Sequence, residues 1–280
     1  MHLVVLLCLA VFVFSTNSVA SQKDGLLKIY FFDVGQGDSI FIETPNGNQV
    51  LIDGGPDSSI IQELSKVMPF YDKEIDLVVL SHPHADHMAG LISVLERYDI
   101  KNILEAKEEY KSPVVSAWYE AVDKEKANET EAVAGKTIHL GNKIILTILH
   151  PFQSVAGKET KYPHDDVVVA MLEYGEMRVL FTGDMEAKVE RRLILNNVDL
   201  DADILKIGHH GSKTSSIPEF LNVVSPEVAF IQVGVKNRYG HPAQEVLKRL
   251  EDFGIKYYRN DLEGTVKLTS DGKTYKIEKQ

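Results

Sequence analysis

The chain has 280 residues, 44% of them hydrophobic, and a formal net charge of −11. That composition supplies a sizeable core and excludes disorder as the default. Global acidity excludes stable nucleic-acid binding through a broad basic face, but not an enzyme that meets phosphate through metal ions, which bring their own positive charge.

Residues 1–20 read as a secretory signal: an unbroken apolar run over 3–14, the polar Ser15-Thr16-Asn17, then Ser18-Val19-Ala20 as a small-x-small cleavage site. Cleavage after Ala20 would leave an extracellular domain of residues 21–280. Membrane attachment is expected only if the segment stays uncleaved, and its apolar run is shorter than the roughly 18 residues of a spanning helix. Cys8 is the only cysteine. The mature chain therefore has no disulfide framework, thiol nucleophile or cysteine-ligated zinc, and any metal chemistry must use nitrogen and oxygen ligands.

Three short strands open the domain, LLKIYFFD (26–33), SIFIET (39–44) and QVLIDGG (49–55), separated by Gly, Asp and Asn turns. A helix over 58–68 follows, with Ile60, Ile61, Leu64 and Val67 at helical spacing. DLVVLSH (76–82) is a strand, and 86–98 a helix with Met88, Leu91, Ile92 and Leu95 on one face. Residues 107–136, which contain DKEKANETEA, read as a solvated helix and loop between two halves.

The second half has strands at KIILTIL (143–149), VVVAMLEY (167–174) and MRVLFTG (177–183), a helix over 185–196, and a strand at DILKIGHH (203–210). A helix follows Ser216-Ile217-Pro218; then come VAFIQVG (228–234), a helix over 242–253 and a closing pair of strands around Asp271-Gly272. Strand-rich starts to both halves, each followed by helices, predict two sheets face to face with helices outside: a four-layer α/β sandwich.

The densest chemistry is SHPHADHMAG (81–90), at the junction of a strand and a helix. His82 and His84 flank one residue of extended loop and can point to one side. Asp86 and His87, in the first helical turn, present a second set beside them. Two adjacent metal sites are expected. Imidazole and carboxylate suit zinc, iron or manganese, and two close ions can hold a bridging hydroxide and clamp both oxygens of an ester displacement.

H-x-H-x-D-H after a strand resembles the signature of the metallo-β-lactamase fold superfamily. FFDVGQGDSIFIETPNGNQVLIDGG (31–55), LFTGDMEAKVE (180–190), DILKIGHHGSKTSS (203–216) and VGVKNRYGHPAQEVLKRL (233–250) look like the soluble hydrolase domain of the ComEC/Rec2 competence proteins. The resemblance covers nearly all of residues 21–280. It implies an αββα sandwich and two divalent ions, Zn or Mn. His82 and His84 would hold the first ion, Asp86 and His87 the second, and Asp184 would bridge them. His210 is favoured over His209 to complete the second site, leaving His209 to orient a ligand or donate to substrate.

His164 in HDDVVV stands where ComEC-like domains read the first Asn of Asn-x-Asn-Ser, and Val167 where they read Ser. It is expected either as a third histidine on the first ion or as a loop residue after Pro163. Asp86, His209 and His241 are the expected catalytic side chains. Asp38 and Asp53 are expected to orient metal-binding histidines, with Asp33 as a further candidate. Ser212, Lys213, Asn237 and Tyr239 are expected to contact substrate phosphate. His139 and His150 read as structural, and GQGD lacks the third glycine of a dinucleotide fingerprint.

The resemblance implies hydrolysis of a phosphodiester, either DNA or a smaller one. A hydrolase of lactones, thioesters or β-lactams is the alternative, because the same metal pair attacks a carbonyl and fold alone does not settle substrate. A non-catalytic or redox member of the fold is the third reading.

Overall fold

The computed structural model describes residues 25–280, so the expected signal over 1–20 lies outside the described residues. In chain order come β1 (Leu27–Phe31), β2 (Ile40–Glu43), β3 (Gln49–Ile52), α1 (Ser59–Val67), β4 (Glu74–Ile75), β5 (Leu77–Val79), α2 (Ala85–Leu95), β6 (Asp99–Ile100), β7 (Asn102–Glu105), α3 (Pro113–Glu125) and β8 (Asn128–Glu131). There follow β9 (Thr137–His139), β10 (Ile144–His150), β11 (Val169–Tyr174), β12 (Met177–Phe181), α4 (Ala187–Leu195), β13 (Ile204–Lys206), α5 (Pro218–Val224), β14 (Val228–Ile231) and α6 (Gln244–Asp252). β15 (Lys256–Arg259), the single turn α7 (Asn260–Glu263), β16 (Val266–Ser270) and β17 (Tyr275–Lys279) complete the chain.

The first sheet has the order β17-β16-β1-β2-β3-β5-β7-β8 and the second β15-β14-β13-β12-β11-β10-β9. β1 shows why they stack. Leu27, Ile29 and Phe31 alternate into one buried cluster, which includes residues of the second sheet such as Phe230. Tyr30 and Phe32 turn to the opposite face, beneath the helices. Both faces of a strand that is apolar at every second position, and again between, must be covered. Phe31 and Phe230 stack across the two sheets, with ring centroids 3.8 Å apart and planes 6° from parallel.

Helices α1, α2 and α3 cover the outer face of the first sheet through Ile60, Leu64, Met88, Leu91 and Trp118. α4, α5 and α6 cover the second through Val189, Leu193, Phe220, Val246 and Leu250. The architecture is the expected αββα sandwich.

Two expectations change. Residues 107–136 are not a solvated linker: α3 buries Val115, Trp118 and Val122 against the first helical layer, and β8 is the edge strand of the first sheet. Ser112 caps α3 by accepting a hydrogen bond from Val115 N at 3.3 Å, with Pro113 in the first turn. Apart from buried Glu108, the charges of this segment are half-buried or exposed. The closing strands also do not extend the second half, because β16 pairs antiparallel with β1, from Leu27↔Ser270 to Phe31↔Val266. β15, at the edge of the second sheet, had no counterpart in the sequence reading.

Candidate metal centre

β3, β5, β12, β13 and β14 run parallel to a neighbour, and the loops leaving their carboxyl ends meet at one edge of the sandwich. Such an edge is where open α/β sheets place ligands. Residues 81–87 arrive from β5, 182–186 from β12, 207–212 from β13 and 232–241 from β14. The loop after β3 brings Asp53, and the β10–β11 connection brings His164.

Close backbone packing sets this geometry. Gly54 N donates to His87 O at 2.7 Å and Gly90 N to Gly55 O at 3.0 Å. A Cβ on Gly90 would collide with Gly54 O, so glycine there lets α2 lie directly on the Asp53 loop. Asp53 itself takes a left-handed φ of 58°, and His209 and His210 take 46° and 54° in succession. Three non-glycine residues in that sparsely used region, all at one edge, are strain concentrated where side chains converge.

Two groups of ligand atoms meet there. In the first, His82 Nε2 and His164 Nε2 each lie 3.0 Å from His84 Nδ1, and Asp184 Oδ2 is 3.9 Å from His82 Nε2 and 3.8 Å from His164 Nε2. In the second, His87 Nε2 is 3.3 Å from Asp184 Oδ1, and His210 Nε2 is 3.4 Å from Asp86 Oδ2 and 3.5 Å from Asp184 Oδ2. Ligands about 2.0–2.1 Å from a shared ion in tetrahedral array stand roughly 3.3 Å apart, so both spacings suit divalent cations.

The hydrogen bonding agrees. His87 Nε2, His210 Nε2 and Asp184 Oδ1 are buried without a hydrogen-bond partner, while the opposite nitrogen of each ring is held. His87 Nδ1 lies 2.8 Å from Asp53 Oδ2 and His210 Nδ1 is 2.8 Å from Gln232 O. Rings anchored at one nitrogen and unpartnered at the other are built to ligate.

Electrostatics separates the histidines. Burial and the neighbouring His87 push His82 well below its usual value, and burial and His164 bring His84 down to about 4. Burial also opposes protonation of His87 and His210, yet Asp184 and the other carboxylates outweigh it, raising His87 well above normal and His210 to about 10. Burial works against ionisation of Asp86 and Asp184 too, but the facing histidines hold Asp86 at about 2 and Asp184 well below the usual range.

Asp38 and Asp53 sit behind the ligand rings. Asp38 Oδ1 is 3.2 Å from His210 Nδ1, Asp38 Oδ2 is 3.8 Å from His87 Nδ1, and Asp38 is ion-paired with buried Lys206. That ammonium neutralises Asp38 from behind, and the carboxylate also lies within 4.8 Å of ligand atoms of His87, Asp184 and His210. His209 lies outside these two groups and belongs to a third, with His164 and Glu186. Its Nδ1 lies 3.0 Å from Glu186 Oε1, a carboxylate that can only accept, and its Nε2 is 3.8 Å from Asp184 Oδ2. His241 lines the same cleft, of about 280 Å³, its ring 5.6 Å from His209 and stacked on Tyr239.

Four expected residues fall elsewhere. Ser212 Oγ is 2.9 Å from Thr214 Oγ1 and braces its own turn. Lys213 is exposed and does not line the cleft. Asn237 spends its amide on its own loop, donating to Gly234 O and His241 O and accepting from His241 N. Asp33 accepts from Gly35 N and lines a separate hollow with Glu63 and Lys66.

Sequence reasoning missed Glu186, whose Oε1 is 3.6 Å from His164 Nδ1 as well as bonded to His209. It also missed Ser81, which donates to Asp53 Oδ2 at 2.6 Å, and Lys206. A lysine inside the apolar run of DILKIG was the one signal available. His150 is structural, with its Nδ1 2.8 Å from Val167 O.

Comparison with known proteins agrees with this picture. The metallo-beta-lactamase superfamily domain matches residues 32–235. ComE operon protein 3 of Bacillus subtilis is 28% identical over 256 residues, covering 85% of this chain and 32% of that protein. Recombination protein 2 of Haemophilus influenzae is 28% identical over 271 residues, covering 95% and 31%. The chain thus spans about a third of the length of these curated relatives. Among solved structures, CmlA, a diiron β-hydroxylase from Streptomyces venezuelae, superposes with a TM-score of 0.54 at 14% identity, covering 91% of this chain and 54% of that one. At that identity the likeness is one of fold.

Proposed function

Since the chain belongs to the metallo-β-lactamase superfamily, whose fold is usually that of a metal-dependent hydrolase, we propose that it is a dinuclear phosphodiesterase acting on nucleic acid outside the cell. The carrying observation is Asp184, buried between the two groups of ligand atoms and facing both. Two divalent ions, Zn or Mn, would be held by His82, His84 and His164 on one side and Asp86, His87 and His210 on the other, with Asp184 shared. When bound they supply Lewis acidity to the phosphoryl oxygens and acidify a water.

The chain's own residues do the rest. Hydrolysis adds water across one P–O ester bond, leaving a phosphate monoester and an alcohol. Glu186 keeps the proton of His209 on Nδ1, so His209 Nε2 faces the cleft free to take or pass a proton. His241, beside it, hydrogen-bonds the phosphate. Asp86, with 31% of its side chain exposed, reaches in from the rim. Two things favour nucleic acid as substrate: the relative named Recombination protein 2, and the GHHGS and GHP segments that look like the ComEC/Rec2 hydrolase domain. The apolar N-terminal run supports export.

The test is cleavage of end-labelled single-stranded DNA by residues 21–280, stripped of metal and refilled with Mn or Zn, with Asp86→Ala as control. Metal-dependent cutting that the variant lacks is expected. Absence of cutting with both ions shown bound overturns the nuclease reading and leaves smaller phosphodiesters and lactones.

A further inference from the structure

Beside the cleft at the ligands lies a second hollow of about 350 Å³, and the two share His84 and His164 in their linings. Tyr239 lines the first and Tyr162 the second. Both rings are 70% exposed, a costly placement for an apolar face.

Neither tyrosine hangs on a slack loop. Tyr239 stands on the turn that Asn237 ties to Gly234 and His241, and its ring lies 18° from the plane of His241. Tyr162 precedes Pro163 and accepts at its carbonyl from Asp165 N at 2.8 Å, at the start of the turn that delivers His164. Each is preceded by an exposed cation, Lys161 and Arg238. Neither cation has an ion-pair partner among the described residues; Lys161 lines the second hollow, and Arg238 adjoins Tyr239 in the chain.

We propose that Tyr162 and Tyr239 are stacking platforms for bases on opposite sides of the scissile phosphate, with Lys161 and Arg238 taking flanking phosphates. A single strand then crosses the ligand cluster and is cut internally. Stacking suits this arrangement because every base offers a π face, which holds a strand without reading its sequence. The proposal rests on the phosphodiesterase reading and adds the position of the strand.

Two measurements on the metal-loaded protein test it. The first is fluorescence anisotropy with a short single-stranded phosphorothioate oligonucleotide, which resists hydrolysis. Tyr162→Ala and Tyr239→Ala should each weaken binding about tenfold, as expected for loss of one stacked base, while the Phe variants retain it and metal content stays constant. Equal binding by wild type and Ala variants, equal losses for Phe and Ala, or no binding by wild type overturns the platforms. The second is digestion of circular single-stranded DNA, which has no ends. Linearisation is expected; a circle left intact by protein that degrades the linear strand overturns the two-sided arrangement. If neither DNA nor bis(p-nitrophenyl) phosphate is cleaved while the tyrosine-dependent binding persists, the catalytic reading has failed and the binding trough stands.

Discussion

Lys206 and Asp38 form an ion pair beneath the cleft with both side chains buried, directly behind the rings of His87 and His210. Lys206 Nζ also donates to Gly183 O at 2.9 Å, so one ammonium ties β13 to the turn that carries Asp184. Removing one partner of such a pair leaves the other charge buried and unpaired, which costs about 3–5 kcal/mol. Lys206→Met is therefore expected to lower the unfolding free energy from urea titration by that order and to weaken metal binding. A variant within about 1 kcal/mol of wild type would show that water reaches Asp38.

Metal loading should expel protons. With no ion present, carboxylates keep His87 and His210 protonated at neutral pH, yet a ligating imidazole must be neutral. Loading at about pH 7 should then release about two protons per chain. Calorimetry in buffers of different ionisation enthalpy reads this directly, and affinity should rise with pH. The metal-free fold has the opposite sign. His210, raised to about 10, contributes stability that is complete below its unfolded value and lost as pH climbs towards 10. Equal apparent enthalpies in all buffers would show the histidines already neutral.

Glu186→Gln is the sharpest probe of positioning. The carboxylate faces Nδ1 of both His164 and His209 and is itself held well below its normal range by bonds from His164 and His209. Loss of such an outer carboxylate typically costs 10–100-fold in metal affinity. Competition with a chromophoric chelator should show one weakened ion and one unchanged. His164→Ala should empty that same position, and Asp184→Ala should release both ions; two ions per chain retained in Asp184→Ala would count against a shared ligand.

What could be read ahead of the structure follows from locality. His82, His84, Asp86 and His87 occupy one strand–turn–helix junction, so their convergence is written in adjacent positions. Glu186 and Lys206 act across space, on rings delivered by other loops, and nothing adjacent to them in sequence marks that. α3 reads from sequence as a solvated helix because Val115, Trp118 and Val122 form a single narrow stripe among charges. β16 reads from sequence as part of the second half because its partner β1 is more than 200 residues away, and strand pattern says nothing of which sheet a strand joins.

The packing of α3 against β7 carries a pH liability of its own. Glu105 accepts from Trp118 Nε1 at 3.2 Å, its other oxygen is buried without a partner, and burial raises it to about 7 despite the indole bond. Burial likewise raises Glu108 to about 8. A carboxyl whose folded value lies above its unfolded one costs nothing at low pH. It then withdraws stability as pH rises from about 4.5 through the folded value, by about 3 kcal/mol for Glu105. Gln keeps an oxygen for Trp118 and cannot ionise. Glu105→Gln should therefore match wild type in urea unfolding at about pH 5 and exceed it by an amount of that order at about pH 8.5. A constant difference at both pH values would mean that Glu105 stays ionised throughout and that Trp118 packs against a charged partner.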